Sequence, residues 1–213
     1  MTKELIVRII SSLILVPISF FLVINVGFYF NLFTFIILLI TLYEWHFLSY
    51  KKKYYLPGII FIFFSVYTFY YFRIEGDYNI FLLIIIVCIG TDIGGYVFGK
   101  IFKGPKITKI SPNKTYTGMF GSFILSIIFA TIYYNNLSFF NLSVEDEFEI
   151  QAIFLVILIS VFSQIGDIVI SLFKRKSKLK NTGNIIPGHG GLLDRIDGMI
   201  FVFPIIFVLL KII

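Results

Sequence analysis

Asp167, Ser171 and Lys174 fall at i, i+4 and i+7, a single stripe down one helix face. A carboxylate, a hydroxyl and an ammonium in that order suit a metal ion carrying a phosphate. Mg²⁺ takes hard oxygen ligands and commonly uses only one or two carboxylates beside substrate phosphates. Arg175 adds a planar fork matched to phosphate oxygens. Alone, Arg175, Lys176 and Lys178 read as the basic end of an apolar run; the in-line carboxylate singles out Asp167 and Lys174. Further on, "PGHGGLLDRID" (187–197) combines Gly188, Gly190 and Gly191, which permit close backbone approach to a ligand, with Asp194 and Asp197 at i and i+3. His189 in that string is either a general base or, as lone histidines more often are, a structural hydrogen bonder.

Two upstream segments carry related chemistry. Asp92 lies in "GTDIGGYVFGK". An isolated Asp in a membrane helix is functional or paired, here with a nearby lysine as the plain alternative. Its neighbours Gly90, Gly94, Gly95 and Gly99 suit close helix packing. "KISPNKTYTG" (109–118) sets Lys114 and Thr115 between a Ser-Pro turn and a glycine. Such a loop delivers a lysine and backbone N–H groups to a phosphate near a helix N-terminus, or is simply a solvated basic loop. It lacks the glycines of a Walker motif.

The elements that position these residues are membrane helices. Of 213 residues, 58% are hydrophobic and 14% charged, against about 25% charged in soluble domains, and the mean hydropathy is +0.95. The apolar residues form long blocks without a period of 2 or 3.6, as lipid-facing helices do. The expected fold is an all-α polytopic integral membrane helix bundle of about seven transmembrane helices. The expected spans are roughly 5–24, 27–43, 56–72, 78–98, 118–135, 149–173 and 196–213, in a single membrane domain over 1–213. The first carries Lys3 and Arg8 ahead of it like a signal peptide, but "SFFLVINVGF" offers no small-residue cleavage site, so it reads as a retained helix. The single cysteine, Cys88, excludes an intrachain disulfide, and His46 and His189 do not complete a zinc site with it. Cys88 reads as a small buried hydrophobe.

Charge alternates between the connections. Lys3 and Arg8, Lys51–Lys53, the five lysines of 99–117 and the six Lys/Arg of 174–195 alternate with "RIEGD" and with Glu145, Asp146 and Glu147 in 136–148. The positive-inside rule places the N-terminus and every basic loop in the cytoplasm and the C-terminus outside. The net charge of +6 therefore reports topology, and attraction to anionic headgroups or phosphates second, rather than nucleic acid. Asp92 and Asp167 each sit seven residues before a basic loop, roughly 10 Å inside the cytoplasmic boundary at 1.5 Å per residue. Asp194 and Asp197 flank the last span from the same side. Four carboxylates thus share one depth.

Residues 171–197, "SLFKRKSKLKNTGNIIPGHGGLLDRID", resemble the signature of the phosphatidate cytidylyltransferase (CDP-diacylglycerol synthase) family: Ser-x-apolar-Lys-Arg, four residues, Lys-Asp, then Pro-x-His-Gly-Gly and Asp-Arg-x-Asp. "TDIGGYVFGK" and "SPNKTYTG" are similar to the family's upstream segments, in the same order. The first 75 residues match only as spans, which divides the chain into variable spans over 1–75 and a catalytic part over 76–213. The resemblance implies a metal pair at Asp167 and Asp194, Mg²⁺ with a K⁺-like partner. It implies Asp167, Lys174, Arg175, Asp194 and Asp197 as catalytic residues. Asp92, Lys114, Thr115, Ser171, Lys180, Gly188, His189, Gly190, Gly191 and Arg195 are expected to bind substrate. It further implies CTP and phosphatidic acid as substrates, a homodimer, and a multi-pass protein of the inner (plasma) membrane with its site toward the cytoplasm. Two departures stand out: the family's Lys-Asp is Lys180-Asn181 here, and the chain is shorter than is usual for the family.

The implied reaction joins a lipid phosphate to the α-phosphorus of CTP. A phosphomonoester is largely ionised near neutrality, its second pKa being about 6, so the chemistry calls for cations rather than a strong base. That favours the lysines, arginine and metal-bound aspartates over His189. Two other classes fit parts of the pattern. A cation-coupled transporter would use Asp92 and Asp167 as an ion path, but the polar residues are one-sided and no clear repeat relates two halves. A related membrane nucleotidyltransferase or lipid kinase would differ in its acceptor.

Overall fold

The computed structural model describes residues 3–108, 111, 114–139 and 150–212. The acidic residues Glu145, Asp146 and Glu147, and Lys109, Pro112 and Asn113 of the basic loop, lie outside the described residues. The chain is all-α: α1 (Lys3–Ile24), α2 (Phe28–Ser49), α3 (Tyr55–Ile74), α4 (Tyr78–Phe102), α5 (Tyr116–Phe139), α6 (Ile150–Lys176), the single turn α7 (Leu193–Ile196) and α8 (Met199–Ile212). Helices α1 to α6 are long and apolar enough to cross a bilayer. They form a polytopic membrane-spanning bundle whose outer surface is Ile, Leu and Phe, from Leu13 and Phe20 on α1 to Phe154 on α6.

Two of the expected spans end elsewhere. The span over 27–43 runs on to Ser49 because Glu44, a plausible polar boundary by type, is fully buried. The span over 196–213 is interrupted at Asp197 and Gly198, leaving the 14-residue α8, about 21 Å long.

Apolar burial holds the bundle in two clusters. Phe81, Ile84, Val87, Val156, Ile159, Phe203 and Ile206 join α4, α6 and α8, with Cys88 buried among them. Trp45, Leu48, Ile62, Ile170, Leu193 and Ile200 join α2, α3, α6, α7 and α8. Between α4 and α5 the glycines do bring backbones together: a Cβ on Gly94 would strike the Gly121 carbonyl, and one on Gly118 the Gly95 carbonyl. Hydroxyls bridge what the glycines leave polar. Ser122 donates to the Thr91 carbonyl at 2.7 Å and Thr91 to Ser160 Oγ at 2.9 Å, linking α4, α5 and α6.

The basic connections meet at one end of the bundle. Lys52 Nζ donates to Ser177 Oγ at 2.6 Å, while the 181–192 loop reaches α1 through His189, whose ring nitrogens lie 2.9 Å from Ser11 Oγ and 3.2 Å from Ser12 Oγ. At the other end Arg73 donates to the carbonyls of Val23 and Ile24, both at 2.7 Å, and covers the Tyr78 ring.

Candidate active site

The stripe on α6 is a helix face, as its spacing requires: Ser171 Oγ donates to Asp167 Oδ1 at 3.3 Å. Both ends of the stripe are met by charge from elsewhere. Lys114, just ahead of α5, pairs with Asp167 Oδ2 at 2.5 Å and donates to the Gln164 carbonyl at 3.3 Å. Lys174 pairs with Asp194 Oδ1 at 2.7 Å. The other oxygen of Asp194 accepts the backbone N–H of Thr182 at 2.8 Å and of Gly191 at 3.1 Å.

Lys114, Asp167, Lys174 and Asp194 line one cavity of about 400 Å³, together with Asp92, Thr115, Gln164, Asn181, Arg195 and Asp197, while Ser171 is buried and outside its wall. Asp92 is exposed to it and makes no ion pair among the described residues, so the simple lysine pairing does not account for this carboxylate. Asp197 is buried, accepts the Gly198 N–H at 3.0 Å and lies against Asp167. The Asp167 and Asp92 carboxylates and the Lys174 ammonium are its charged neighbours. Thr115 caps α5, its hydroxyl accepting the Gly118 N–H at 3.1 Å.

Other expected site residues stand apart. Arg175 and Lys180 are exposed and outside the cavity wall. The 187–191 glycines serve the loop's own fold. Gly188 and Gly190 adopt φ of 75° and 92°, the left-handed region glycine tolerates. Gly188 packs against Arg8, and Gly191 against Thr182 and Glu44. His189 faces α1, and its carbonyl accepts from Arg195 at 2.8 Å.

The sequence reading passed over Thr91, Ser122 and Gln164, whose types are common in helices. It also passed over Glu44, which the argument applied to Asp92 flags equally: an ionisable residue in an apolar run.

Fold and cavity together define a class, a polytopic membrane protein whose charged site is built within the helix bundle from three long helices, the single turn α7 and two loops. The chain belongs to the cytidylyltransferase family, whose sequence model matches residues 69–213. It is 40% identical over 144 residues to a phosphatidate cytidylyltransferase of Staphylococcus epidermidis, covering 67% of this chain and 52% of the relative. With the phosphatidate cytidylyltransferase of Bacillus subtilis the identity is 39% over 129 residues, 59% of this chain and 45% of the relative. With that of Staphylococcus aureus it is 40% over 156 residues, 72% and 55%. The chain thus spans about half the length of the curated relatives it matches.

Proposed function

We propose that this protein is a phosphatidate cytidylyltransferase, converting CTP and phosphatidic acid to CDP-diacylglycerol and pyrophosphate. The observation that carries the reading is the convergence of Lys114–Asp167 and Lys174–Asp194 on one cavity, all within the segment matched to the family. A phosphate oxygen of the lipid attacks the α-phosphorus of CTP, and the bond from that phosphorus to the bridging oxygen of the pyrophosphate breaks. Little acid–base work is needed. The site must bring two anions together and balance the charge of the leaving group, which positioned cations do in a water-poor cavity. Lys114, Lys174 and Arg195 supply that charge from three sides.

The donor set suits Mg²⁺. Four carboxylates, Asp92, Asp167, Asp194 and Asp197, line the cavity. Mg²⁺ commonly relies on one or two carboxylates plus substrate phosphates. Asp167 and Asp194 would hold it, with Asp197 beside Asp167; when bound it would neutralise and orient the triphosphate. Each of those two carboxylates already carries a lysine, which keeps an ammonium within reach of whatever phosphate binds beside it.

The rest of the reading follows the charge pattern and the family. The basic end of the bundle faces the cytoplasm, α8 serves as a seventh membrane segment, and the whole chain works as one domain in the inner (plasma) membrane. A homodimer and a K⁺-like second ion complete it. The test is incorporation of labelled CTP into lipid by purified protein in phosphatidate vesicles. Dependence on both phosphatidate and Mg²⁺ is expected, and an isoprenoid phosphate replacing phosphatidate as the better acceptor would overturn the substrate assignment.

A further inference from the structure

Glu44 is fully buried near the end of α2, outside residues 69–213 that match the family. Its Oε1 accepts the Leu192 N–H at 2.8 Å. Its Oε2 accepts the Leu193 N–H and the Thr182 hydroxyl, each at 2.8 Å. Gly183 and Gly191 lie so close to the carboxylate that a Cβ on either would sit 2.9 Å from Oε1 or 2.6 Å from Oε2. The loop is therefore built around this one side chain.

Asp194 completes the arrangement. Thr182 divides its donors, hydroxyl to Glu44 and N–H to Asp194, and the successive N–H groups of 191, 192 and 193 go to Asp194, Glu44 and Glu44. Two carboxylates thus clamp the start of the 182–193 loop to its end. Only one of them, Asp194, also faces the cavity and meets Lys174. The other belongs to a helix with no side chain among the cavity-lining residues.

We propose that Glu44 is a positioning residue for cytidylyl transfer: it holds the 182–193 loop from α2 so that Asp194 keeps Lys174 in place at the cavity wall. The inference rests on the transferase reading above. It gives the N-terminal helices a part in the site. Glu44→Gln keeps the shape but replaces one acceptor oxygen with a donor facing the loop's own donors.

The experiment is hydrogen exchange on the full-length protein in detergent micelles, paired with initial-rate kinetics on the same preparations. In Glu44→Gln, exchange over residues 191–194 should rise roughly ten-fold while α4 to α6 keep their protection. kcat should fall at least about ten-fold through misplaced reacting groups, with KM for CTP within about three-fold. Thr182→Val, which removes one of the three bonds, should give the same pattern at smaller size, and decides the matter if Glu44→Gln does not fold. Unchanged exchange at 191–194 overturns the proposal whatever the activity. Faster exchange with wild-type kcat overturns the catalytic link, and a raised KM with unchanged kcat places Glu44 in substrate binding instead. If the wild-type protein transfers no cytidylyl group, the functional reading fails with it, and the exchange data still decide whether Glu44 holds the loop.

Discussion

Lys174 on α6 and Asp194 at the start of α7 lie 2.7 Å apart, with side chains only 12% and 7% exposed. Asp194 is at once the partner of a cavity lysine and the acceptor for two loop N–H groups. Site and loop geometry therefore cannot be changed separately at this residue.

Asp194→Asn should abolish detectable transfer while the protein still inserts in the membrane. The amide keeps one acceptor oxygen for the loop but leaves the Lys174 ammonium unpaired, a change that costs roughly 3–5 kcal/mol where a charge is left buried. Activity and membrane fractionation check this together; turnover near wild type would remove Asp194 from the reacting set.

Lys114 and Asp167 should behave as one unit. Lys114→Met and Asp167→Asn each lose most of the activity, and the double variant should lose little more than either single one, as groups acting together do. Losses that multiply would show two independent roles.

His189→Ala is expected to be the mildest of the signature variants. It gives up the contacts to Ser11 and Ser12, at about 1 kcal/mol per hydrogen bond, and loosens the loop from α1. The double variant Ser11→Ala, Ser12→Ala should reproduce its activity loss. A loss as complete as that of Asp194→Asn, with the serine variant active, would restore His189 as a general base.

Asn181 stands where the family pattern has Asp, and it lines the cavity beside Gly190 and Asp194. Asn181→Asp adds a hard anionic donor and should lower the Mg²⁺ concentration for half-maximal activity by roughly ten-fold, the low end for residues next to metal ligands. A titration curve identical to that of the natural protein would assign residue 181 a turn-capping role only.

What the sequence could reveal followed from local spacing. The α6 stripe was legible because i, i+4 and i+7 share a face whatever surrounds the helix, and the spans were legible because lipid-facing helices need no period. The partner of Asp167 was not, since Lys114 reaches it only after α5 and α6 pack. Glu44 was passed over because its three donors arrive from residues 182–193, which no local spacing on α2 reveals. The signature glycines suggested a phosphate cradle, yet their close contacts are to Arg8, Asn181, Thr182, Glu44 and Asp194. Burial of protein against protein and protein against ligand leave the same mark on sequence.

The most direct test of the account follows the two ends of the triphosphate. Purified protein in phosphatidate vesicles with Mg²⁺ is given CTP labelled at the α-phosphate or at the γ-phosphate. Cytidylyl transfer predicts α-label in the lipid and γ-label released as pyrophosphate, in equal amounts, both lost in Asp194→Asn. Label entering the lipid from the γ-phosphate would make the protein a kinase, and no label in lipid from either position would contradict the transferase reading altogether.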